Sequence, residues 1–105
     1  MPTEQYHEPP DELDAEARTF ARLIASLQEE AEAIGWYEQR MSIEKDEQAR
    51  SIMEHAQREE FLHFAMSLEY LARRKEKWRV ALQNILFKDG DIVENAESAE
   101  DQIED

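Results

Sequence analysis

The sequence predicts an all-α fold. Its core is an antiparallel two-helix hairpin plus a short third helix, and two chains dimerise into a four-helix bundle. Three observations predict it. Helix-breaking residues are scarce (Gly 2, Pro 3), and Pro9 and Pro10 fall together near the start, while the span from Asp11 to Lys88 is rich in Glu, Ala, Leu, Gln, Arg and Lys. Apolar residues recur at alternating spacings of three and four, with no alternating Val/Ile/Thr runs of the kind strands need. Finally, two helices of about 28 residues, each roughly 40 Å long, cannot enclose a core by themselves, whereas two pairs can.

The 105 residues make one small domain. The organisation expected is an extended arm over residues 1–10, a helical domain over 11–88, and an acidic, disordered tail over 89–105. Tandem prolines forbid helix in the arm. The first helix is expected to start near Pro10 or Asp11, with Asp11, Glu12 and Asp14 at the positive end of its dipole. One stripe runs Leu13, Ala17, Phe20, Ile24, Leu27, Ala31, Ile34, and a neighbouring one runs Leu23, Leu27, Glu30, Ile34, Tyr37. The turn is expected over Ser42 to Lys45, with Asp46 capping the second helix. There the pattern resumes as Ile52, Met53, Ala56, Glu60, His63, Ser67, Tyr70 and Leu71, beside Phe61, Phe64, Leu68 and Leu71. Arg73, Arg74, Lys75 and Lys77 complement the negative end of that helix's dipole. The third helix carries Trp78, Leu82, Ile85 and Leu86 on one side, and Asp89-Gly90 is expected to close it.

Composition narrows the function. The formal charge is −14, and residues 89–105 hold eight acids with no Lys or Arg, leaving 18 acids against 12 bases in residues 1–88. Nucleic acid is therefore not the expected partner. Cysteine is absent, which excludes disulfides, thiolate zinc sites and cysteine nucleophiles. No uncharged apolar run is long enough for a membrane span or a signal peptide, so the expected location is cytoplasmic. No Ser/His/Asp arrangement or glycine-rich phosphate loop is present.

Two polar insertions into apolar faces carry the chemistry. Glu30 stands in the second stripe of the first helix, where a carboxylate must be paired, protonated, solvated or bound to metal. Glu60 and His63 are three apart, so they project from one face of the second helix. Helical bundles that hold two iron ions draw one Glu from each of two helices and a Glu-x-x-His pair from each of two others. This chain offers half of that set, and a second copy completes it. Depth agrees: counted from a turn near residue 44, Glu30 lies 14 residues back and Glu60 and His63 lie 16 and 19 on. On antiparallel helices they sit within about 8 Å of one level along the axis.

A lone Glu-x-x-His is weak in so acidic a chain, and Glu4-Gln5-Tyr6-His7 matches it as well. Pattern alone balances a metal site against a surface ion pair or a satisfied core histidine. His55, Glu59 and His63 at i, i+4, i+8 form a rival, zinc-like face. Glu29 and Glu32 suit a solvated helix face, and Trp36 and Tyr37 suit a core.

The run Glu29-Glu30-Ala31-Glu32-Ala33-Ile34-Gly35-Trp36-Tyr37-Glu38-Gln39-Arg40 comes first, followed by Glu59-Glu60-Phe61-Leu62-His63 and Met66-Ser67-Leu68-Glu69-Tyr70-Leu71-Ala72-Arg73-Arg74. Together they resemble the encapsulated ferritins, ferritin-like iron oxidases carried as cargo inside encapsulin nanocompartments. His7-Glu8-Pro9 and the Leu86-Phe87 region extend the likeness over nearly all of residues 7–93. The resemblance implies that two protomers pair into a ferritin-like four-helix bundle and that the dimers form a ring, a decamer in the family. It implies a di-iron centre held by Glu30, Glu60 and His63 of both subunits, lined by Trp36 and Tyr37, with Tyr37 among its catalytic residues. It also implies an outer acidic site, Glu29 and Glu32, through which metal arrives and which takes calcium or other divalent cations. The function implied is oxidation of Fe²⁺ to Fe³⁺ with O₂, feeding mineral storage within an encapsulin shell.

Cargo of that family usually ends in a short apolar targeting peptide, and residues 99–105 are unlike it. The expectations are accordingly a truncated chain, a fusion to a shell protein, or a protein that is not cargo. Two other functions compete: a non-catalytic helical adaptor whose buried acids set register, and a related di-metal enzyme that reduces peroxide.

Overall fold

The computed structural model describes residues 5–104, all of whose regular elements are helical. They are a 3-10 turn at Pro10–Glu12, then α1 (Ala15–Ile43), α2 (Glu47–Ala72), α3 (Glu76–Ile85) and α4 (Ile92–Ile103). The chain divides into two compact units, Met1–Glu69 and Tyr70–Asp105.

The first unit is the hairpin of α1 and α2. Helix α1 starts later than the sequence suggests, because Asp14 rather than Pro10 or Asp11 is the N-cap: its Oδ1 accepts from Ala17 N at 2.7 Å. The segment before it makes the 3-10 turn, held to α1 by the Arg18 guanidinium, which donates to the carbonyls of Pro10 and Leu13. At the other end the expected turn is found. Helix α1 stops at Ile43, Glu44 accepts from Asp46 N at 3.0 Å, and Asp46 Oδ1 accepts from Ala49 N at 2.8 Å, capping α2. Three residues thus reverse the chain, which forces α1 and α2 to be antiparallel neighbours. Across the hairpin, Gln57 Nε2 donates to Ile34 O at 3.2 Å and to Glu38 Oε1 at 3.0 Å.

The stripes predicted for α1 lie half-buried, apart from the exposed Ala17 and Ala31, and no α1 residue is fully buried. On α2 the inward row is Met53, Gln57, Glu60, Phe64 and Ser67, at helical spacings of three and four. Ile52 and Phe61, expected on apolar faces, are instead exposed. Both rows proposed for α2 are largely covered, and Ile52 and Phe61, nine residues and half a circle apart, stand at opposite margins of the covered face.

The second unit opens with the last turn of α2, where Leu71 and Ala72 are buried and the Arg74 guanidinium stacks over the Tyr70 ring at 4.0 Å. Helix α3 carries Trp78, Leu82 and Ile85 on its partly buried side, as expected. It ends at Ile85, before Asp89-Gly90: Leu86 is already extended (ψ 138°), and Phe87 after it adopts a left-handed backbone (φ 60°). Gly90 (φ 97°) then serves the turn into α4.

Helix α4 corrects the expectation of a disordered tail over 89–105. Asp91 caps it, with Oδ2 accepting from Glu94 N at 3.0 Å, and Asn95 Nδ2 donates to Asp89 O at 3.1 Å. It packs on α3: Ala99 is buried, and Gln102 Nε2 donates to Asn84 Oδ1 at 3.0 Å. Ala96, Ala99 and Ile103 supply an inward stripe small enough for close approach, which a count of charges does not detect.

Two tests follow from these elements. Asp46→Ala removes the cap of α2 and is expected to lower stability by about 1 kcal/mol in urea denaturation; an unchanged midpoint argues against the cap. Ala99→Glu places a charge in the α3–α4 contact, and amide exchange across residues 92–103 should then accelerate while that of α1 is unchanged. Equal exchange in the parent and the variant would mean that α4 is not docked.

Candidate metal centre

The hairpin brings together the three ligand-type side chains that break its apolar faces. Glu30 comes from α1, and Glu60 and His63 come from consecutive turns of α2. One ligand atom of each lies within 4.8 Å of the other two, and this is the group of three such residues assembled among the described residues. His63 Nδ1 is 3.2 Å from Glu60 Oε1. Exposure grades across the set: Glu30 and Glu60 are half-buried, whereas the His63 side chain is 48% exposed and opens the group to one flank.

Glu30 shows what the set lacks. Its Oε1 is inaccessible to solvent and has no hydrogen-bond partner. A buried acceptor left in that state costs about 1–3 kcal/mol, more when it is charged. The groups brought nearest from α2 are a carboxylate, which only accepts, and an imidazole already in contact with that carboxylate; neither is a fixed cation. Two carboxylates and one imidazole nitrogen make a hard-to-borderline donor set with positions left open, which fits a divalent transition metal such as Fe²⁺. His63 would bind through Nε2, or through Nδ1 once the Glu60 contact opens.

Other residues singled out in the sequence fall elsewhere. Glu29 and Glu32 are exposed on α1 and join no three-ligand group among the described residues. His55 Nε2 and Glu59 Oε1 are 3.9 Å apart on the exposed face of α2, but they do not gather with His63 into such a group. Tyr37 is half-buried, and the Arg40 guanidinium lies 5.4 Å from its ring and 6.0 Å from that of Trp36. Trp36, Gln39 and Arg40 line an open hollow of about 220 Å³. Glu4 lies outside the described residues, and His7 sits exposed in a bend, so that second Glu-x-x-His lacks a helix to align it. Sequence reasoning passed over Gln57 and Glu38. The available signal was that Gln57 lies three before Glu60 on the inward row.

The family model for EncFtn-like proteins matches residues 5–89. The chain belongs to the EncFtn-like family. A relative of this EncFtn-like chain from Thermotoga maritima, described as a ferritin-like protein, is 48% identical over 91 residues, covering 87% of this chain and 80% of its own. An encapsulated ferritin-like protein from Rhodospirillum rubrum is 40% identical over 95 residues, covering 89% of this chain and 68% of its own. The crystal structure of a Nitrosomonas europaea protein superposes with a TM-score of 0.82 at 38% identity, covering 85% of this chain and 98% of that one. Helix α4 falls beyond the residues that the family model matches. Among the described residues, no helix is long and apolar enough to cross a membrane.

The unpartnered oxygen makes a direct test. Glu30→Leu removes it and is expected to raise the urea stability of the metal-free protein by about 1–3 kcal/mol, while abolishing any stabilisation by added Fe²⁺ under anaerobic conditions. A Glu30→Leu protein that is less stable without metal would show that the carboxylate is already satisfied.

Proposed function

We propose that this chain is a ferroxidase whose active centre is completed by a second copy of itself. The observation that carries the reading is the inaccessible, unpartnered oxygen of Glu30, set beside Glu60 and His63 on the facing helix. The triad is half of the ligand set of a four-helix di-iron bundle, one Glu plus one Glu-x-x-His. A second protomer supplies the same half again. The exposed flank favours such a partner. Ile52 and Met66, 63% exposed each, lie eleven before and three after His63 and so share its side of α2, with Leu62 beside them at 60%.

In this reading Fe²⁺ is the substrate. Glu60 of each copy bridges two ions, Glu30 and His63 hold one ion each, and the anionic set favours the Fe³⁺ product. Each Fe²⁺ gives up one electron and O₂ accepts the pair. Tyr37 and Trp36 line the centre, and Glu29 and Glu32 of adjoining copies form the outer acidic site that collects Fe²⁺ and also takes calcium. Dimers assemble into a ring, a decamer, and the oxidised iron is stored as mineral inside an encapsulin shell in the cytoplasm. Family membership supports these finer assignments. Facing carboxylates repel in the metal-free state, so association should strengthen with iron.

The test is anaerobic Fe²⁺ loading followed by air, recording absorbance of Fe³⁺ and mass by light scattering. The expected result is rapid oxidation and iron-dependent assembly, both lost in Glu30→Ala and His63→Ala. Oxidation no faster than in buffer, with assembly indifferent to iron, would leave a helical adaptor. Faster turnover with H₂O₂ than with O₂ would instead assign peroxide reduction.

A further inference from the structure

We propose that Gln57 is a positioning residue for the Glu30–Glu60–His63 centre, fixing the axial register at which α1 and α2 present their ligands. The proposal rests on the metal-binding reading above.

Among the described residues, the fully buried side chains of the hairpin unit are polar, Gln57 at 6% exposure and Ser67 at 8%; the buried apolar residues Leu71, Ala72 and Ala99 all belong to the second unit. The facing apolar residues, Leu27, Ile34, Met53 and Phe64 among them, are only half-buried, which leaves directional bonds a share in fixing register, and Gln57 makes two of them across the interface. Its single NH₂ group has two hydrogens, and both are used, one on Ile34 O at 3.2 Å and one on Glu38 Oε1 at 3.0 Å.

The placement of these bonds matters. Ile34 lies one turn from Glu30 on α1, and Gln57 lies three residues from Glu60 on α2. The tether therefore sits about one turn, some 5 Å, from the metal ligands and joins the same two helices. A slide of α2 along α1 that separates Glu30 from Glu60 must first break both Gln57 bonds. Groups hydrogen-bonded directly to a ligand typically change metal affinity about 10–100-fold when removed; Gln57 acts one turn away, through the register of the two helices, and that range bounds its effect from above.

Gln57→Met keeps the length and volume but donates no hydrogen bond. It strands no partner, because Ile34 O retains its α1 hydrogen bond and Glu38 is exposed to water. The metal-free variant should consequently melt at or above the wild-type temperature. A merely structural role predicts no change beyond the melt, whereas a positioning role changes the metal.

Co²⁺ titration, followed by its d–d absorption, reads the difference. The wild type should bind Co²⁺, and Gln57→Met should bind more weakly, by up to about 100-fold, with a shifted band. Glu38→Gln, which preserves an acceptor, should bind as the wild type does. Should Gln57→Met fail to fold, Gln57→Asn decides, since its amide is one methylene too short to reach Ile34 O and should weaken Co²⁺ in the same way. Wild-type affinity and spectrum in a folded Gln57 variant would overturn the positioning role and leave the metal centre standing. A wild type that binds no Co²⁺ would overturn the metal centre itself and the positioning role with it.

Discussion

A carboxylate oxygen closed off from water and given no donor is the constraint around which the hairpin is arranged. Glu30 Oε1 is that atom. Folding a helix pair with a buried acceptor unsatisfied costs about 1–3 kcal/mol, a sizeable share of what a small domain has to spare. The facing helix does not relieve it with a lysine or an arginine. It brings a second carboxylate and an imidazole within 4.8 Å instead, so what the group lacks is positive charge. A divalent cation would supply it, and metal binding and the stability of the hairpin would then be one equilibrium.

The surrounding elements serve that arrangement through polar contacts more than through a packed core. Asp14 and Asp46 cap the two long helices at their N-termini, the short reversal at Glu44 to Asp46 makes them antiparallel neighbours, and Gln57 ties them together one turn from the ligands. Such bonds are directional and individually modest, on the order of 1 kcal/mol each. They specify register well and contribute little bulk stability. Large apolar residues of α2 stay exposed in the single chain: Ile52, Phe61, Leu62 and Met66. Under the proposed pairing Ile52, Leu62 and Met66, on the His63 side, form part of the remaining core, whereas Phe61, half a circle from Ile52, lies away from that surface.

The hairpin and its site were legible because both violate a simple pattern in a simple way. Glu30 and Glu60 interrupt apolar rows, and only the depth of each from the turn was needed to bring them to one level. Asp46 announced its cap because an acid stands three before the amide it accepts from. The misses have separate causes. Helix α4 depends on Ala96 and Ala99, small residues whose burial adds little to any hydropathy count, amid a run of acids. Gln57 was missed because glutamine is ordinary on an exposed helix face, and only pairing with Ile34 and Glu38 separates it from Gln39 or Gln48. Ile52 and Phe61 were assigned inward because they stand at opposite margins of the apolar face, and a sequence does not show how far around a helix its neighbour reaches.

That last point bears on what completes the site. Three donors leave room for water on a six-coordinate ion, so the triad by itself does not require a partner. The apolar residues beside it are what favour one. Ile52 and Met66 share the side of α2 from which His63 emerges, and leaving them in water forfeits about 25 cal/mol for each Å² that could be covered. A surface that is apolar and also carries ligands is best met by one with the same two properties. Two-fold pairing provides this automatically, because each residue of an isologous interface meets its own patch on the other copy. Groups near such an axis come close to their own symmetry mates. His63, 48% exposed on the side shared with Ile52 and Met66, is the ligand such a pairing would bring nearest the axis, while Glu60, at 25%, is turned toward α1.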